Sequence, residues 1–150
     1  MVVYFLTWTT YGSWLPGDER GWVDRHRGNR RLQQGNDALQ GALRDAMSET
    51  AVILDSHLRA EVESAIRVLA AECGWTVHAV SVRTNHVHVV VSAPGRSGED
   101  VMKGMKARAS HRLNQTVEKE RRHWWTRGGS KKKLLTPEAV ARTVAYVKNQ

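Results

Sequence analysis

The alternation of apolar and polar positions divides this chain into seven candidate elements. VVYFLTWTT, from Val2, is β-branched and aromatic and predicts a strand. Leu58, Val62, Ala65, Ile66, Leu69 and Cys73 fall three or four apart, one apolar stripe of a helix. Asp55 or Ser56 stands where its cap belongs, and Gly74 where it would stop. WTVHAVSVRTNHVHVVVSA follows, rich in Val and alternating in places, and predicts two strands meeting near Arg83–Asn85. After the turn PGRSG, Gly98 to Val117 has helical periodicity. Val101, Met105 (or Met102), Ala109 and Leu113 face inward there; Lys103, Lys106, Arg108 and Arg112 face outward. A short strand is expected around HWWTR, then a basic loop GGSKKKLL. Thr136-Pro137-Glu138 starts a last helix, with Thr as cap and Pro in the first turn; that helix is expected to carry Tyr146 and end at Gln150.

Strand, helix, strand, strand, helix, strand, helix is the split βαβ order. The expected fold is therefore an α/β (α+β) sandwich of ferredoxin-like type, with an antiparallel sheet and an extra C-terminal helix that carries the tyrosine. Residues 1–150 read as a single domain. Within it, residues 12–50 mix Gly, Pro and charge with weak helical character, and are expected to be an insertion or irregular segment.

Composition narrows the classes of function. The net charge is +8, but residues 1–95 hold 9 Lys/Arg against 10 Asp/Glu, whereas residues 96–150 hold 14 against 5. The whole excess lies in the last third, which suits either a solvated basic face or a polyanionic partner. Nothing approaches the roughly 20 apolar residues of a membrane span. MVVYFLTWTT has no basic leader and reads as a strand, not a signal peptide. A lone cysteine, Cys73, forms no internal disulfide; it is expected to be a small buried group near a helix end, and a cytoplasmic setting is expected.

His86-Val87-His88 lies inside a valine run. On a strand, residues i and i+2 share a face, with Cβ atoms about 6.5–7 Å apart. Two imidazoles so placed can converge on one metal ion and leave positions for substrate and water, or they can be two satisfied structural histidines. Val89 to Val91 argue for a central, buried strand, where an unpaired polar group is costly. Tyr146 and Gln150, four apart, would share a helix face. A helical tyrosine is most often core or interface; here an amide could complete a metal site, and a phenol beside it would have a phosphate to attack. Tyrosine, with a pKa of about 10, is a poor nucleophile unless its surroundings favour phenolate.

Asn85-His86-Val87-His88, with the late Tyr146 and Gln150, resembles the HUH single-tyrosine transposases, the bacterial insertion-sequence and REP-associated enzymes. FLTWTTYGSWLPGDERG, GWTVHAVSVRTNHVHVVVSA and RRHWWTRGGSKKKL extend the resemblance over nearly the whole chain. It implies a sheet with helices behind it, and a metal-dependent endonuclease and strand transferase acting on single-stranded DNA. His86, His88 and Gln150 would bind a divalent ion, Mg2+ or Mn2+. Tyr146 would attack a DNA phosphate, leaving a 5′-phosphotyrosine and a free 3′-OH. The substrate is expected to be single-stranded DNA with hairpin or palindromic ends, and the protein a homodimer in which one subunit can lend its tyrosine helix to the other. Members of the family run some residues beyond the position of Gln150. Arg83, Lys103, Lys106, Arg121, Arg122, Lys131, Lys132 and Lys133 are candidate phosphate contacts, and Trp124 or Trp125 is a candidate stacking platform for an unpaired base. A non-catalytic nucleic-acid-binding relative on the same fold is the alternative. A zinc hydrolase is weaker, because no further ligand stands at a clear zinc spacing.

Overall fold

The computed structural model describes residues 2–13 and 49–150; most of the segment expected to be irregular lies outside them. Its elements run β1 (Val3–Thr9), α1 (Ser56–Cys73), β2 (Thr76–Val82), β3 (His86–Ser92), α2 (Gly98–Thr116), β4 (Ser130–Leu134) and α3 (Pro137–Lys148). The sheet order is β2-β3-β1-β4, and all three ladders are antiparallel. This is the split βαβ arrangement that the order of elements predicts.

Local chemistry sets the helix boundaries. The Asp55 side chain accepts from the Leu58 N–H at 2.8 Å, and Gly74 ends α1 at φ 74°, a left-handed conformation that glycine adopts without strain. Ser97 caps α2, and Glu99 and Asp100 in its first turn complement the helix dipole. Thr136 caps α3 by accepting from Ala139 N–H at 3.0 Å, with Pro137 in the first turn.

The strand pleat sorts side chains into two cores. Tyr4, Leu6 and Trp8 of β1, with Val87, Val89 and Val91 of β3, pack under α1 and α2 against Val62, Ile66, Met105 and Leu113. Val3, Ala79, Val90 and Leu134 form a smaller cluster on the opposite face, closed by Val147 of α3 with Phe5, Val140 and Val144 at its margin. The extra helix therefore does not join the other two behind the sheet. It lies across the face they leave open, giving three layers.

Three expectations fail. HWWTR is not a strand: it makes only an isolated bridge, Thr10 to Trp125, while β4 is the lysine run itself. Trp124 instead fills the core, with its indole N–H on Asn114 Oδ1 at 2.9 Å. Cys73 is exposed, because the inward stripe of α1 ends at Leu69 and Ala70 and the last turn faces water. The last helix stops at Lys148, with Asn149 as its cap, so Gln150 lies beyond it.

Candidate active site

The register of β1 against β3 pairs Thr7 with His88 and Thr9 with His86. All four belong to the face that α3 covers, together with Phe5 and Val90. On either side, Ser81 of β2 pairs with His88, and Ser130 of β4 pairs with Thr7. One polar rung, Ser81, His88, Thr7 and Ser130, thus crosses the sheet where the apolar contacts of α3 end.

The rings of His86 and His88 stand edge to face, with centroids 4.8 Å apart. Tyr146 approaches from α3, its ring 5.8 Å from that of His88, and is 52% exposed. Phe5 stacks on His88 at 5.5 Å and meets Tyr146 edge-on at 6.3 Å. His88 is buried, at 6% exposure, and its Nδ1 lies 2.9 Å from Thr7 Oγ1. His86 is half-buried, and its Nδ1 lies 2.9 Å from Asn85 Oδ1.

Burial, and then the nearby Arg83 guanidinium, holds the His86 imidazole below its ordinary range. His88 is pushed down to about 4, by burial first and by the charges of His86 and Arg83 second. Both rings are therefore neutral at pH 7 and keep a lone pair for a cation. Two adjacent neutral imidazoles, open towards an exposed phenol, suit a divalent ion. They do not by themselves select Mg2+ over other divalent metals. Among the described residues, no three His, Cys, Asp or Glu side chains gather as a metal site. Gln150 lies two residues past the end of α3 with its side chain exposed, so helical spacing does not carry it beneath Tyr146.

The remaining candidates separate by layer. Arg83 follows β2 directly, is exposed, and donates its backbone N–H to His86 O at 2.8 Å. Lys132 pairs with Phe5 and shares the face of the histidines. Lys131 and Lys133, pairing with Leu6 and Tyr4, belong to the other face. Lys103 is exposed on α2, across the sheet from Tyr146. Lys106 turns inward and donates to Thr126 O and Gly128 O, with its pKa lowered to about 8 by burial and by Lys131. Arg121 is occupied by Thr50 and His123 O, and its guanidinium lies 5.4 Å over the Trp124 ring. The Arg122 backbone N–H donates to Glu49.

Trp124, at 3% exposure, offers no face to a base. Trp125 is held edge-on against Trp8, with its N–H on Lys106 O. Gly129 serves packing and not a ligand: a Cβ there would stand 2.6 Å from Thr7 O and 2.9 Å from the Met102 side chain. His78 bonds Ser92 at 2.7 Å, four residues along β3 from His88. Phe5, Thr7 and Ser81 escaped the sequence reading because only the strand register brings them to His88.

No curated protein is significantly similar to the chain. Several solved structures share its fold, among them two transposases. A candidate transposase from Deinococcus radiodurans has a TM-score of 0.54 and 16% identity, over 99% of this chain and 89% of that one. A REP-associated tyrosine transposase bound to a REP hairpin has a TM-score of 0.54 and 10% identity. The match covers 97% of this chain but 64% of that one, so this chain spans less than two thirds of that relative. No helix among the described residues is long and apolar enough to cross a membrane. The family model for IS200-like transposases matches residues 47–150, the segment that contains His86, His88 and Tyr146, and this chain belongs to that family.

Proposed function

We propose that the protein is a metal-dependent single-stranded DNA endonuclease and strand transferase that uses Tyr146 as its nucleophile. The observation that carries this reading is the convergence of His86, His88 and Tyr146, from two separate elements, on the polar end of one sheet face. His86 and His88 would hold a divalent cation, Mn2+ or Mg2+. When bound, that ion supplies Lewis-acid stabilisation of the scissile phosphate.

The chain's own residues do the rest. The exposed Tyr146 phenol loses its proton to solvent, and its oxygen attacks phosphorus. An Oη–P bond forms and the P–O3′ bond breaks. The 3′-oxygen keeps that electron pair and takes a proton from water, leaving a 5′-phosphotyrosine and a 3′-OH. A second 3′-OH reverses the step on a new end, so the energy of the phosphoester is conserved. Arg83 and Lys132 flank the reactive rung and would hold the flanking phosphates. The relative bound to a REP hairpin supports hairpin-bearing DNA as the probe. The protein is proposed to act as a homodimer in the cytoplasm.

Incubation with a labelled hairpin-bearing single strand and Mn2+, followed by a denaturing gel, should give a protein–DNA band. Tyr146→Phe should abolish it while the circular dichroism spectrum is unchanged. An equal band in the variant would remove Tyr146 from the chemistry. DNA binding without any band in the wild type would favour the non-catalytic relative.

A further inference from the structure

The histidines are held from behind by residues with no assigned role. The Asn85 side-chain oxygen can only accept, so at 2.9 Å from His86 Nδ1 it requires a proton on that nitrogen. The lone pair of His86 is then at Nε2. The Thr7 hydroxyl, at 2.9 Å from His88 Nδ1, can either accept or donate. It can accept from Nδ1–H when Nε2 is engaged. Phe5 stacks over the His88 ring and holds its plane, and a flip of the ring would put Cδ2 in place of Nδ1 and forfeit the bond to Thr7. Thr7 is itself buried and lies opposite His88 in the ladder, where its backbone is fixed on both sides.

We infer that Asn85 and Thr7 are positioning residues: they hold the two rings through Nδ1 so that both Nε2 atoms are presented together to a cation. Asn85 fixes the tautomer of His86 outright, and Thr7 steadies His88 while its hydroxyl proton follows the state of the ring. The inference rests on the proposed metal site for its purpose, but not for its geometry. Outer-shell partners of this kind typically govern metal affinity by 10–100-fold.

The test uses the full-length, metal-free protein labelled with 15N in its histidine rings. In the wild type at pH 7, His86 should show a protonated Nδ1 and an unprotonated Nε2. Asn85→Ala should shift His86 towards the Nε2-protonated form, and Asn85→Asp should restore the original pattern. In Mn2+ titrations followed by calorimetry, Asn85→Ala and Thr7→Val should each weaken affinity by about 10–100-fold. Thr7→Ser, which keeps the hydroxyl, should stay within a few-fold of wild type. An Nε2-protonated His86 in the wild type, or Thr7→Ser weakening Mn2+ as much as Thr7→Val, would overturn the inference. Wild-type tautomers as expected, with no Mn2+ binding at all, would sink the metal reading and leave the positioning role standing.

Discussion

At the scale of single residues, His88 shows how burial keeps an imidazole neutral. Folding lowers its pKa from 6.5 to about 4, so between those values the unfolded chain binds a proton that the folded chain does not. Stability must then rise with pH across that window. The contribution is fully present above pH 6.5 and is lost as the pH falls through about 4. His86 is shifted in the same direction and adds to the effect. Urea denaturation of the metal-free protein should therefore give a lower midpoint at pH 4.5 than at pH 7, and His88→Gln should reduce the difference. An unchanged difference in that variant would place the acid sensitivity elsewhere.

Among the helices, α3 is the least deeply anchored. Its sole buried residue is Val147, at 1% exposure, whereas α1 has five buried residues and α2 has six. Val147→Ala removes two methyl groups from that anchor and should cost about 2 kcal/mol. Hydrogen exchange should then speed up in α3 while α1 and α2 keep their protection. Uniform loss of protection would mean that α3 opens only with the whole domain. The boundaries of α1 were legible in the sequence because Asp55 and Gly74 act through their own backbone neighbours. The position of β4 was not. Lysines are depleted from strands, and tryptophans favour them, so local preference pointed to HWWTR. Pairing decided otherwise: the free side of β1 takes an edge strand, and edge strands tolerate lysine, which discourages pairing with other chains. His86, His88 and Tyr146 were readable as residue types, whereas the partnership of Thr7 with His88 depends on a register that no single segment encodes.

For the whole molecule, the cationic excess of the last third is divided and not pooled beside Tyr146. Arg108 and Arg112 of α2 pair with Glu72 and Glu61 of α1, and Lys106 faces inward to the loop after Trp125. Lys132 lies on the face of the histidines, Arg142 and Lys148 are exposed on α3 itself, and Arg83 from the earlier part of the chain stands beside His86. Fluorescence anisotropy with a single strand at several salt concentrations should therefore show that Lys132→Ala flattens the log–log slope by about 0.7, one phosphate's worth. Lys103→Ala should leave the slope unaltered. If Lys103→Ala matched Lys132→Ala, the strand would track over the helical layer instead. The division of the sheet into two faces also has a consequence for descent. The larger core contains neither of the two histidines nor the tyrosine, so substitutions that remove the proposed cleavage leave that core intact. A genome carrying such a gene has a short route from a mobile element's enzyme to a resident binding protein, and that route does not pass through an unfolded intermediate.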